Sequence, residues 1–531
     1  MARSLRTPSL PDLVKKGYLP REVPSCFSTD DLARIASRLP TRRPATEPVR
    51  HSLARYGGLR RMLSIPHPQS YLALAKDIVS NWTIYATHWS KSRLSRSKPT
   101  CGRHRKGRAI STKMDLADLP LERSKTRALA TVLLVSDITQ FYDSVYTHSI
   151  PWAMSSKASA KRALKAGTIS SVPGNSLDVA LRNVQDKQSV GIPTGPDTSL
   201  VAAEIILAAV DEALMKKGPT PLGGFRFMDD FELAYRTISE AEDALATLES
   251  TLERLHLSLN PLKTRIDGLP DPYEPTWRIQ LNRFVIRTNR RRSVLINDLI
   301  SFFSLAYDLY QSYPNDPVLS YALQKAGRLG LDQHAWPVFR NNALAIVQRE
   351  PAALPFYHDR LVEAVVTGIE KHLDPTEEVL NLVADQHATR GRGFEVVWTL
   401  WTLARLGLPL GDDVANVVCK IEDNLAILLY EWMRRSHLTS SAAPVADLMA
   451  RLSSEAELAS RENWLLAYES TRRGWHRYRA VREDKFFKVL LKENVAFFVD
   501  DAFQLPSGIS SPGVDAGNID SQRPAPPPTG Y

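Results

Sequence analysis

Apolar positions change their spacing partway along the chain. In the first half, short β-prone runs alternate with helical stripes. Thr131–Val135 (TVLLV) has β-branched residues and no polar interruption, which predicts a buried strand. Ser70 to Trp82 places Leu72, Ala75, Val79 and Trp82 on one helical face. Ser199 to Met215 reads as a long apolar helix, with Asp197 and Thr198 as cap candidates and Gly218 as its stop. From Ser239 to Leu257, Ser239 and Glu242 form a capping box ahead of Leu245, Leu248, Leu252 and Leu255. Beyond Ser293 the strand signals fade. Asp374-Pro375-Thr376-Glu377 has the form of a helix start, with a cap, a proline at the first helical position and an early acid. A stripe of Phe394, Val397, Trp398, Trp401 and Ala404 stops at Gly407, and another helix begins near Asp412. Paired helices with short Gly/Pro breaks predict an α-solenoid of irregular repeats. The expected fold class is therefore α/β followed by all-α.

The chain has 531 residues, enough for about three domains. Apolar residues make up 43% and charged residues 24%, which excludes a wholly disordered chain. No apolar run approaches the ~18 residues of a membrane helix, and the first residues lead into no signal-peptide core. Cys26, Cys101 and Cys419 lie far apart, so neither a disulfide framework nor a cysteine zinc site is expected. These features predict a soluble protein of a reducing compartment. The net charge of +10 permits a polyanionic partner. Much of it lies between Lys91 and Arg108, a run without acids that reads as a solvated, mobile connection. The Pro-, Gly- and Ser-rich tail from 504 to 531 reads as disordered.

Candidate chemistry gathers in three segments of the first half. In Ser136-Asp137-Ile138-Thr139-Gln140-Phe141-Tyr142 an acid ends a buried strand, where it needs a cationic partner. In Gly224 to Tyr235 (GFRFMDDFELAY), Asp229 and Asp230 sit between β-prone runs, which predicts a hairpin with the acids at its turn. Between them lies Gly191 to Ser199 (GIPTGPDTS), a rigid loop feeding the apolar helix. Carboxylates brought close raise one another's pKa unless a cation neutralises them. Magnesium, held by carboxylates and substrate phosphates, is the usual solution. Two such ions about 4 Å apart can support in-line phosphoryl transfer.

The order of these segments, followed by Leu259-Asn260-Pro261-Leu262-Lys263-Thr264, resembles motifs A to D of reverse transcriptases. Arg61-Met62-Leu63-Ser64-Ile65-Pro66-His67-Pro68 resembles the fingers motif of the group II intron and retron branch. The segments Lys16 to Glu22 (KGYLPRE), Tyr146 to Ala153 (YTHSIPWA) and Gly191 to Ser199 look like the bacterial abortive-infection and defence-associated reverse transcriptases. Those proteins carry a helical-repeat domain in place of a thumb, and Phe394-Glu395-Val396-Val397-Trp398 and Trp464 to Glu469 (WLLAYE) fit that half. The resemblance implies an N-terminal extension over 1–56, fingers and palm over 57–290, and a HEAT-like helical-repeat domain over 293–501.

It also implies an RNA-directed DNA polymerase of the bacterial cytoplasm with an anti-phage role. Two magnesium ions, replaceable by manganese, would serve it. Expected partners are deoxynucleotides, an RNA or DNA strand, a second copy of the chain, and a companion RNA or phage trigger. Some members polymerise without a template and start on a protein hydroxyl, but 17 tyrosines and no motif leave that residue unassigned here. Carried onto this chain, Asp137 and Asp229 become the principal metal ligands, Asp230 a secondary carboxylate, and the Ile138 carbonyl a backbone ligand. Tyr142 falls where an aromatic excludes a ribose 2′-hydroxyl. Pro193, Thr194 and Gly195 would let the backbone approach the template–nucleotide pair. Lys263 would protonate the leaving pyrophosphate or balance charge. Arg60, Arg61, Arg103, Arg105, Lys106 and Arg108 are unranked candidates for triphosphate contacts. Phe227 stands where tyrosine is usual, which removes a hydroxyl and keeps the ring. Two alternatives stay open: a ribonucleotide polymerase on the same palm, and a catalytically inactive nucleic-acid-binding scaffold.

Overall fold

A computed structural model describes residues 6–40, 44–102, 107–288, 291–441 and 461–505. The molecule mixes α and β, with helix predominating. Eight strands occur among the described residues: β1 (Val49–Ala54), β2 (Arg60–Ile65), β3 (Pro99–Thr100), β4 (Ser111–Thr112), β5 (Val132–Asp137), β6 (Gly223–Phe227), β7 (Asp230–Tyr235) and β8 (Arg265–Gly268). The β1–β2 and β3–β4 pairs stand alone, and the main sheet has the order β6-β7-β5-β8, antiparallel throughout.

Alternation along the central strands sorts their side chains. Arg226, Phe231 and Ser136 are in register on one face, packed toward the helix Asp197–Lys217. Phe227, Asp230 and Asp137 are in register on the other. On that second face Glu232 meets Arg123 and Arg127 of the helix Leu119–Arg127, through bonds of 2.6 and 3.0 Å. The site end of the face is thus left to the aspartates.

Helix Asp197–Lys217 is buried nearly all round, because the helices Pro68–Ser90 and Ile238–Arg254 also pack on it. The helix Ile238–Arg254 takes a different capping box from the one the sequence suggests. Both Thr237 with Glu240 and Ser239 with Glu242 fit the pattern, and β7 ends at Tyr235, so the first available pair closes the turn. The basic run also departs from a mobile connection at both of its described ends. Ser92 and Ser97 are buried, Arg96 pairs with Glu122, and Arg108 pairs with Asp197. Positions 103–106 and 506–531, including most of the Pro-rich tail, lie outside the described residues.

From Thr276 onward the described residues form helices without a strand. Gly407 closes the helix Gly393–Leu406 in a left-handed cap at φ +68°, the conformation that ends the stripe there. These helices close back on the first half. His51 of β1 hydrogen-bonds Asp423 at 2.8 Å, and Arg60 of β2 forms a two-pronged ion pair with Glu395. The Trp398 indole donates to the Glu22 carbonyl, while 26–28 exchange backbone bonds with 497–499. Among the described residues no helix is long and apolar enough to cross a membrane.

Candidate active site

Asp137 is the last residue of β5, and Asp230, the first of β7, lies directly opposite it in the ladder. Asp229 occupies the tight turn between β6 and β7. Together the three offer carboxylate oxygens within 4.8 Å of one another. Asp137 is buried and the other two are half-buried.

Met228 is what makes this turn possible. Its φ of +55° is left-handed, a strained value for a non-glycine residue. Two bonds hold it there: the Met228 amide donates to Ser97 Oγ at 2.9 Å, and Arg226 Nη1 donates to the Met228 carbonyl at 2.7 Å. Arg226 is fully buried, and its guanidinium also binds Glu204 and Asp211, each at 2.8 Å. Ser92 donates to Asp211 at 2.6 Å, completing the network. A charged cluster from helix Asp197–Lys217 therefore stands beneath the acidic turn. Pairing in a desolvated site raises the Arg226 pKa.

The electrostatics of the trio show an unbalanced site. Burial, then the charge on Asp137, pushes Asp229 up to about 6, with Arg61 and Lys263 opposing. Asp230 is raised well above the ordinary value by burial and by Asp229 and Asp137. Lys263 Nζ lies 3.2 Å from Asp137 Oδ2, and Asn260 donates to the same oxygen at 3.2 Å. The segment 258–260 is fastened along Asp137–Thr139 by the Asn260 amide, 2.7 Å from the Asp137 carbonyl, and the Thr139 amide, 2.9 Å from the Ser258 carbonyl. Ile138 bridges to Leu259 within this pairing, with its side chain buried. An all-oxygen donor set in which the charge of Asp137 raises the pKa of both Asp229 and Asp230 suits a hard divalent cation.

The other sequence candidates fall in different places. Tyr142 has its ring beside Phe141, and its hydroxyl pKa is raised by burial and then by the field of Asp229. Its carbonyl accepts from the Ile192 amide at 2.8 Å, tying it to the Gly191–Ser199 loop. In that loop, Ser199 Oγ donates to the Pro193 carbonyl and the Ser64 amide donates to the Thr194 carbonyl at 2.9 Å. Gly195 has φ +121°, and a Cβ there would lie 2.6 Å from Pro20 Cγ. The close approach at Gly195 is thus made by the chain's own N-terminal segment. Arg60 is engaged by Glu395 and Ser52. Arg61 instead bears on Asp229 and Tyr142 through its charge. Arg108 holds Asp197 and the Gly195 carbonyl. Arg103, Arg105 and Lys106 lie outside the described residues.

Three neighbours escaped the sequence reading. Arg55 feels Arg61, Asp229 and Asp137, and burial lowers its pKa first. Asn260 and the Arg226 network are the others. Glu204 and Asp211 did carry a signal: two acids seven residues apart, on one face of an otherwise apolar helix, demand a buried cation.

No family model matches the chain, and no curated protein matches it. Among solved structures, the telomerase of Candida albicans, in complex with a fragment of telomeric RNA, overlaps at 12% identity and a TM-score of 0.28. That overlap covers 74% of this chain and 65% of the telomerase, so the chain spans just under two thirds of that protein. The apo telomerase of Candida tropicalis overlaps at 11% identity and a TM-score of 0.30, over 77% of this chain and 70% of the other.

Proposed function

We propose that this chain is a nucleotidyltransferase of the reverse-transcriptase type that adds deoxynucleotides through a divalent-cation site. One observation carries the reading: Asp137, Asp229 and Asp230, far apart in sequence, bring their carboxylates within 4.8 Å at the end of one sheet. The motif order around them, from Arg61 to Lys263, supports the polymerase class.

In this reading Asp137 and Asp229 hold the cations and Asp230 orients them. Bound magnesium, or manganese in its place, supplies charge that favours an attacking hydroxylate and a leaving pyrophosphate. Arg61 and Arg55 flank the carboxylates with positive charge suited to a triphosphate. Lys263 is near enough to Asp137 to balance its charge or to protonate the leaving group. Tyr142 excludes a ribose 2′-hydroxyl, which selects deoxynucleotides. The fingers and palm over 57–290 and the helical-repeat domain over 293–501 belong to the same proposal, as do an RNA template or its absence, a protein hydroxyl as primer, and an anti-phage role. These last points rest on the motif resemblance alone.

The test is direct. Purified full-length protein with magnesium and labelled deoxynucleotides should form polymer, and chelation should stop it. Asp137→Asn with Asp229→Asn should reduce incorporation at least a thousandfold. Undiminished synthesis by that double variant would end the proposal.

A further inference from the structure

A second surface near the carboxylates has chemistry of its own. Tyr146, Trp152 and His256 form an aromatic cluster, with ring centroids 5.4 to 5.8 Å apart. His256 is exposed and sits at φ +62°, a left-handed backbone position that costs free energy in a non-glycine residue. Lys157 Nζ lies 4.3 Å over the Trp152 ring and 3.3 Å from His256 Nε2. It opens the helix Lys157–Lys165 (KASAKRALK), which carries four cations and no acid. Lys161, Arg162 and Lys165 are exposed, and among the described residues none of the four cations forms an ion pair.

We infer that this aromatic and basic shelf binds a single-stranded nucleic acid, with His256 and Tyr146 offering ring surface to bases and the Lys157–Lys165 helix holding the phosphates. Charge names the partner's sign, since four cations without counter-ions seek a polyanion. The rings narrow the choice to a strand whose bases are free to stack, because paired bases present no open faces. Placement favours a strand that also visits the carboxylates. His256 precedes Asn260 by four residues, so the shelf lies within about 14 Å, the length of four extended residues, of the residue that bonds Asp137. The inference extends the proposed function without depending on it, because binding can be measured with no metal present.

The experiment is fluorescence anisotropy of labelled dT20 and rU20 with the full chain in EDTA, across a salt series. Wild type should bind both strands more tightly than a 20-base-pair duplex. His256→Asn keeps a residue that tolerates the left-handed backbone and removes the ring; it should weaken single-strand binding about fivefold or more and leave duplex binding unchanged. Lys161→Gln, Arg162→Gln and Lys165→Gln together should flatten the slope of log affinity against log salt by about 2, at roughly 0.7 per lost phosphate contact. These three side chains are exposed, so the variant tests contact without threatening the fold. Wild-type affinity and slope in the triple variant would overturn the inference. So would polyglutamate competing as well as dT20 at equal charge while His256→Asn changes nothing, since that pattern belongs to an acidic polypeptide. Polymer synthesis lost in an aspartate variant that still binds dT20 would leave the shelf standing; the two readings therefore fail separately.

Discussion

Replacing Arg226 with methionine isolates the network beneath the acidic turn. The guanidinium is fully buried and faces two carboxylates, Glu204 and Asp211, that are equally buried. Removing one member of a buried ion pair costs about 3–5 kcal/mol, chiefly through the charge left behind, and here two charges are left. The total stability of a folded chain is roughly 5–15 kcal/mol, so Arg226→Met should forfeit a large share of it in urea unfolding at pH 7.5. Carboxylates stranded in an apolar interior are cheaper to keep protonated, so the deficit should shrink at pH 5 and grow toward pH 8. Neutralising both acids with Glu204→Gln and Asp211→Asn should recover Arg226→Met to within about 1–2 kcal/mol of the same background, the scale of ordinary hydrogen bonds. Nucleotide incorporation should not recover with it, because the Met228 carbonyl still lacks the donor that lies 2.7 Å away in the intact protein. A loss below about 1 kcal/mol in the wild-type background, or an equal loss in both backgrounds, would refute the reasoning.

The mutual repulsion of the aspartates makes a second prediction. Asp229 rises from its ordinary 3.8 to about 6, so the metal-free protein should lose stability as pH climbs through that window and regain it on adding magnesium. Asp230→Asn should stabilise the metal-free protein by about 1–3 kcal/mol at pH 7.5 and blunt the magnesium response in thermal unfolding. Tyr142→Ala should raise ribonucleotide use relative to deoxynucleotide use tenfold or more, measured as the ratio of kcat/KM values. An unchanged ratio would remove Tyr142 from sugar selection.

Local features of the fold were readable because they depend on near neighbours. The strand at 131–135 became β5, ending at Asp137, and the paired acids did fall at the hairpin between β6 and β7. The helix expected over 70–82 occupies Pro68–Ser90, where His67 caps its start. The capping box at 237–240 was displaced by two residues, since only the end of β7 decides which of two matching pairs is used. Arg60 and Arg108 look alike in sequence as free cations. Their partners, Glu395 and Asp197, stand 335 and 89 residues away, and no local pattern reports them.

What the amino-acid order determined by itself is the alternation of strand and helix, the turn that carries Asp229, and the order in which Asp137, the Gly191–Ser199 loop and the Asp229–Asp230 pair follow one another. Periodicity and turn geometry act over a few residues, so they are written in short stretches of chain. What tertiary structure decided is the register that sets Asp137 against Asp230, the meeting of Met228 with Ser97 and of Arg226 with Glu204 and Asp211, and the closure of the later helices on β1 and β2 through His51 and Arg60. Each depends on groups that meet only after distant segments pack. Desolvation then turns a scattered set of charges into pairs that must be satisfied.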